Sequence, residues 1–205
     1  MEIPRKAIYR LSIYQRCLGK LLENEIETVS SSALAKAAGV KPAQLRKDLG
    51  YFGQFGTRGL GYSVEELRSA IREALGRTHF QQVVLVGAGN LGSALLRYQG
   101  FEKEGFEVVA AFDSVPEGVI QQGLGIPVRT VNEMVHFIRK RDVRLAILCV
   151  PGESAQESAN ELVGAGVTGI LNFSPAVLKV PDAVTVNNVD LALELENLSY
   201  FVQEG

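Results

Sequence analysis

A chain of 205 residues, 46% apolar and 21% charged, is ordinary globular material, long enough for one large domain or two small ones. No apolar run approaches the roughly 20 residues of a membrane span, and the start Met1-Glu2-Ile3-Pro4-Arg5-Lys6 has no signal-peptide core, so a cytoplasmic protein is expected. The net charge of −2 conceals an asymmetry: residues 1–78 carry 13 Lys+Arg against 8 Asp+Glu, whereas the remainder carries 8 against 15, so a basic module suited to nucleic acid precedes an acidic one.

Pro4 suits the first turn of a helix whose apolar face runs through Ile8, Leu11, Tyr14, Leu18, Leu21 and Leu22 to Asn24. Ser32 can cap a short second helix, 33–38, which Gly39 ends. Pro42 then opens a third, 42–49, with Leu45 and Leu49 inward at i,i+4 and Gln44, Arg46 and Lys47 outward. This is the layout of a helix-turn-helix, whose second helix offers its N-terminal part to the DNA major groove; Lys41, Gln44, Arg46 and Lys47 are the expected contacts, arginine suited to guanine edges and glutamine to adenine. Residues 51–62 alternate glycine with aromatic or apolar side chains, which predicts a two-stranded ribbon with Arg58 at its tip, fit for a DNA backbone or minor groove. Ser63 and Glu66 form a capping box for a helix through Leu67, Ile71 and Leu75 to Gly76, and these parts together predict a winged helix over 1–78.

From Gln82 the texture changes. Residues 83–86 are a continuous apolar run, as in a strand buried on both faces, and they lead into Gly87-Ala88-Gly89-Asn90-Leu91-Gly92 ahead of a helix from Ser93. This is G-x-G-x-x-G in a strand–turn–helix setting: Gly87 for the tight turn, Gly89 for approach to a pyrophosphate, Gly92 for close helix packing. A second strand, 106–112, ends at Asp113, 21 positions after Gly92, where a carboxylate accepts from ribose hydroxyls and repels a 2′-phosphate, so NADH or NAD(+) is the expected ligand. A helix over 130–140, a strand over 145–150, a helix over 154–165 and a strand over 167–171 continue the βα alternation, which predicts a Rossmann-type doubly wound parallel sheet over 79–188. Val150, Pro151, Phe173 and Ser174 fall beyond strand ends and should line the cofactor crevice, where Phe173 either stacks near the nicotinamide or fills the core. A last helix, 189–202, carries Leu191, Leu195, Leu198 and Val202 on one stripe with Leu193, Tyr200 and Phe201 beside it; its cover is either its own sheet or, as the preferred reading, a second copy of the chain, which makes 189–205 a dimerisation segment.

An enzyme needs an acid or base beside its hydride acceptor. His79 precedes the first strand of the second module, His136 sits on a helix among Val135 and Phe137, and Lys179 is the remaining candidate, beside Pro181; catalysis is not expected. Cys17 and Cys149, far apart, read as small apolar residues, and no metal site is expected. Two further readings stay open at this point: a nucleotide-binding module like the CoA-binding domain of CoA ligases, and a regulator responding to another nucleotide.

Over nearly its whole length the chain resembles the Rex family of redox-sensing transcriptional repressors, on the strength of residues 40–49, the 53–62 wing, and Gly87 to Gly92 with Asp113. The resemblance implies a homodimer that binds an inverted-repeat DNA operator and is released by NADH, with NAD(+) competing, and a C-terminal helix swapped between subunits. Arg16, Tyr98 and Asp190 are polar residues on elements expected near the domain junction and are the candidates for holding one state of the switch.

Overall fold

The computed structural model describes residues 3–56, 60–76, 79–120 and 125–203, and the chain divides into two compact units, Met1–His79 and Phe80–Gly205.

In the first unit, α1 (Arg5–Glu23) buries Leu11, Tyr14 and Leu18. It shares a core with Leu34 and Ala35 of α2 (Ser31–Ala37), Leu45 and Leu49 of α3 (Pro42–Leu49), and Leu67 and Ile71 of α4 (Val64–Ala74). Between α2 and α3 the chain turns at Gly39 (φ +67°), a left-handed angle glycine adopts freely, and the Val40 N–H closes the turn on the Ala35 carbonyl at 2.9 Å. The cap of α2 is Ser30 and not Ser32: its Oγ accepts from the Ala33 N–H at 3.1 Å. Three consecutive serines offer three caps, and the helix uses the first of them. Ser63 caps α4 as expected, accepting from the Glu66 N–H.

The ribbon differs from its sequence expectation. Residues 51–56 are turns and irregular backbone; the two-stranded sheet instead pairs β1 (Thr28–Val29) antiparallel with β2 (Tyr62–Ser63). Gly61 (φ +85°) makes this possible, because a Cβ there would lie 2.6 Å from the Val29 carbonyl oxygen. Arg58, the expected tip residue, lies outside the described residues.

The second unit is a six-stranded, all-parallel sheet built from β3 (Gln81–Val86), β4 (Phe106–Asp113), β5 (Val128–Thr130), β6 (Leu145–Leu148), β7 (Gly169–Asn172) and β8 (Thr185–Asn188), in the order β5-β4-β3-β6-β7-β8. That order reverses between β3 and β6, which is the doubly wound Rossmann topology. Successive β3 residues serve opposite faces. Val84 and Val86 pack with Met134 and Ile138 of α8 (Met134–Arg141) and Ala155, Ala159 and Leu162 of α9 (Gly152–Ala165). Val83 and Leu85 pack with Leu96 of α5 (Asn90–Leu96), Phe101 of α6 (Gly100–Lys103) and Val119 of α7 (Pro116–Ile120). Strand β5 and a 3-10 turn, Val131–Glu133, precede α8 where the sequence predicts one helix from Thr130, and α5 starts at Asn90, not Ser93. The chain ends in α10 (Leu191–Gln203), whose Leu191, Leu193, Leu195, Leu198, Tyr200, Phe201 and Val202 are all exposed, so within one chain it is not covered by its own sheet.

Candidate functional site

The β3–α5 turn occupies the switch point of the sheet, where open parallel sheets bind ligands. Gly87 (φ +89°) donates its N–H to the Phe112 carbonyl at 2.8 Å, and a Cβ there would lie 2.6 Å from the Cys149 carbonyl oxygen. Gly92 is buried, and a Cβ on it would collide with the Gly87 carbonyl. Nothing lies within 4 Å of a Cβ built on Gly89, which, with Asn90 and Leu91, is exposed. Two glycines thus let strand, loop and helix touch, and the third leaves open space beside the start of α5, whose first amides have no partner within the helix. Such amides suit a pyrophosphate. Buried Ser93 ties the turn further, its hydroxyl donating to the Ala88 carbonyl at 2.6 Å.

Asp113, at the end of β4, accepts from the Ala88 N–H at 2.7 Å through Oδ2 and from the Val115 N–H at 2.9 Å through Oδ1. Asp113 and the glycine turn are therefore joined. Gly87, Asp113, Val150 and Pro151 line one cavity of about 350 Å³, completed by Ser114 and Asn132 and by Ser154, Glu157, Ser158 and Glu161 on one face of α9. The α9 residues recur at helical spacing, a signal readable in sequence, but strand ends by themselves do not point to that face. A second cavity, about 220 Å³, is lined by Leu91, Phe173, Ser174, Pro175 and Val189 through Ala192. Phe173 is half-buried: it packs against the β3–α5 core, as one of its two expected roles requires, and also lines this cavity. Buried Asn172 shapes the loop, its Nδ2 donating to the Ala176 carbonyl and Asn188 Oδ1 while its Oδ1 accepts from the Ser174 N–H and hydroxyl.

In the first unit Lys41, Arg46 and Lys47 are exposed around α3, and Arg46 Nη1 donates to Ser31 Oγ at 3.3 Å. Gln44 is only half exposed. Its Nε2 donates to Asp48 Oδ1 at 2.8 Å, and Asp48 is a fully buried charge on α3 that nothing in the sequence marks out. Arg10 grips that carboxylate through Nε at 2.6 Å and Nη2 at 2.7 Å, and the Tyr14 hydroxyl donates at 2.8 Å. Burial pushes the Asp48 pKa up, but the hydrogen bonds from Arg10, Tyr14 and Gln44 outweigh it and hold the carboxyl below its ordinary value. Burial and the bond to Asp48 raise the Tyr14 phenol. A lowered folded-state pKa contributes stability that is complete above the unfolded value, about 4, and is lost as pH falls through the folded value. The first unit is accordingly expected to melt at a steady temperature down to about pH 5 and earlier with each step toward pH 3, a dependence that Asp48→Asn should reduce in melts followed by circular dichroism.

Of the switch candidates, Arg16 is exposed on α1. Exposed Tyr98 meets Phe101 edge-on at 5.1 Å and lines a separate groove with Phe106 and Pro127, whereas Asp190 lines the smaller crevice cavity and caps α10 by accepting from the Ala192 and Leu193 N–H groups. The two line different cavities. His79, His136 and Lys179 are exposed, and none lines either crevice cavity. Burial pushes the Cys149 thiol up to about 12, so it stays protonated at neutral pH. Among the described residues no three His, Cys, Asp or Glu side chains group as metal ligands, and no helix is long and apolar enough to cross a membrane.

Comparison with known proteins matches both units. Residues 2–50 match the family described as "Putative DNA-binding protein N-terminus" and residues 79–176 that described as "CoA binding domain". The redox-sensing transcriptional repressor Rex of Syntrophobacter fumaroxidans is 46% identical over 205 residues, 100% of this chain and 98% of its own. Among solved structures, RSP in complex with beta-NAD+ and operator DNA matches with a TM-score of 0.89 and 39% identity, over 100% of this chain and 94% of that one. RSP in complex with beta-NADH gives 0.85 and 38%, over 100% and 96%. Because the likeness runs unbroken through the helix-turn-helix, the glycine turn and Asp113, the chain belongs to the Rex family of redox-sensing transcriptional repressors.

Proposed function

We propose that the chain, in the cytoplasm, represses transcription as a homodimer on an inverted-repeat operator and leaves the DNA when NADH occupies the crevice of the second unit, NAD(+) competing without releasing it. The observation that carries this reading is the joining of Asp113 to the glycine turn in a chain that also presents a helix-turn-helix. Gly87, Ala88, Gly89, Asn90, Leu91 and Gly92 would receive the pyrophosphate, Asp113 the ribose, Val150 and Pro151 the wall of the crevice, and Phe173 and Ser174 the nicotinamide end. The smaller cavity, with Leu91, Phe173, Pro175 and Leu191 in its wall beside Ser174 and Asp190, is the proposed seat of the nicotinamide ring. About 1–3 kcal/mol of preference between two dimer arrangements is enough for allosteric control. Lys41, Gln44, Arg46, Lys47 and Arg58 are assigned to the DNA, and Arg16, Tyr98 and Asp190 to the change of state. The wholly exposed α10 is assigned to burial against, and exchange with, a second copy, since monomers seldom leave so much contiguous apolar surface in water. A regulator has no use for a catalytic acid.

Fluorescence anisotropy of a labelled inverted-repeat duplex, titrated at fixed salt with NADH, NAD(+), NADPH or CoA, tests the whole reading. Release by NADH far below the concentration of the others supports it; DNA binding indifferent to all four defeats it. Sedimentation as a monomer would remove the half-site geometry, since dimeric readers place two recognition helices about one DNA turn apart. On the same duplex Arg46→Ala should cost roughly 1–3 kcal/mol and relax base choice, whereas Lys47→Ala should weaken operator and random DNA alike and lower the salt slope by about one. Equal losses on both DNAs for both variants would cancel the assignment.

A further inference from the structure

Glutamine is the least committed reader of DNA. Its amide can turn over, presenting either a carbonyl acceptor or an NH₂ donor, and so suits several base edges. Gln44 lacks that freedom. Asp48 is buried, its carboxyl is held in the charged form, and a carboxylate only accepts hydrogen bonds, so the arm of the Gln44 amide that meets Asp48 Oδ1 at 2.8 Å must be the NH₂. Turning the amide over would set its carbonyl oxygen against the carboxylate. The carboxylate itself cannot swing away, because Arg10 holds both its oxygens and Tyr14 a second site on Oδ2. The carbonyl arm, Oε1, makes no hydrogen bond among the described residues and is not sealed from solvent, and the residue sits on the first turn of α3 between exposed Lys41 and exposed Arg46 and Lys47.

We propose that Gln44 is a specificity-determining residue that reads the major groove as a fixed hydrogen-bond acceptor, its amide locked in one sense by Asp48, and so selects a base whose exocyclic amine, adenine N6 or cytosine N4, faces it. The proposal rests on α3 being the recognition helix. Edges with only acceptors at that point, thymine O4 or guanine O6 and N7, are disfavoured because two acceptors would meet. Asp48 is a positioning residue: it touches no base, and its charge fixes the sense in which Gln44 is read. Gln44 thereby differs from Arg46, whose guanidinium is a donor on every arm.

The test uses the full chain and duplexes it selects from a randomised pool. In each selected half-site, adenines are replaced one at a time by purine and cytosines by 2-pyrimidinone, which removes the exocyclic amine alone; which substitution costs affinity tells adenine from cytosine. At one position the loss of the amine is expected to weaken wild-type binding about tenfold and to leave Gln44→Ala unaffected. Asp48→Asn, whose neutral amide tolerates either sense of Gln44, is expected to shrink that penalty and to raise acceptance of thymine or guanine there; the ratio between bases is read, so a general loss of fold stability does not mimic it. If no position shows an amine penalty that vanishes in Gln44→Ala, or if Asp48→Asn leaves the base preference unchanged, the proposal is overturned. Absence of any selected duplex would overturn the DNA-reading assignment of α3 and the proposal with it.

Discussion

A Gly87→Ala variant is expected to lose about 3 kcal/mol of stability in the second unit and to bind NADH roughly a hundredfold more weakly. Two independent costs combine. At φ +89° an alanine is strained by about 1–3 kcal/mol, and its Cβ, 2.6 Å from the Cys149 carbonyl oxygen and 2.9 Å from Val150 Cγ1, meets backbone and a crevice side chain that cannot both withdraw. Relief requires the turn to lift from β6. That displaces the Ala88 N–H from Asp113 and moves the amides at the start of α5 from where a pyrophosphate would meet them. Calorimetric melting and NADH fluorescence would show both losses together; a melt lowered by roughly 10 °C with NADH affinity intact would mean that the turn does not hold the cofactor. Gly89→Ala, with nothing within 4 Å of its Cβ, is the matched control for folding and should melt as the parent does.

Asp48→Ala should remove about 3 kcal/mol from the first unit while leaving NADH binding unchanged. Four hydrogen bonds converge on that carboxylate, and its removal strands the Tyr14 hydroxyl in a fully buried site beside an arginine whose side chain is 22% exposed. Part of the arginine's cost is returned by water, which places the effect at the lower end for a broken buried pair. The tie runs from α1 to α3, the proposed recognition helix, so duplex affinity should fall further than stability alone dictates. Parallel melting and anisotropy would reveal it, and an unshifted first transition would show the ion pair to be worth nothing.

The architecture was readable because its strongest signals are local. Four apolar residues in β3, three glycines and an aspartate at the end of β4 each answer to one steric or electrostatic demand, and their order dictates a parallel sheet. Elements too short to show a period escaped: β1 spans two residues and β5 three, and both are fixed by strand pairing, by Tyr62 against Val29 and by Ala111 against Val128. Asp48 escaped for another reason. A charged residue on an amphipathic helix reads as solvent-facing, and nothing in residues 42–49 announces that Arg10 and Tyr14, one turn apart on α1, will close over it. Asn172 is alike, since its partners include Asn188, which arrives only when β7 and β8 pair.

The hydrogen bond from the Ala88 N–H to Asp113 has a consequence for fidelity. Oδ2 of that carboxylate is already engaged by the glycine turn, so whatever displaces Asp113 is felt in the turn. With the ribose held by Asp113 as proposed, a dinucleotide bearing a 2′-phosphate would bring another anion against that carboxylate, and its retreat would release Ala88 and slacken the turn. On the cofactor assignment proposed above, one misplaced charge would thus be penalised twice, once at the carboxylate and once through the 2.7 Å contact that holds the turn.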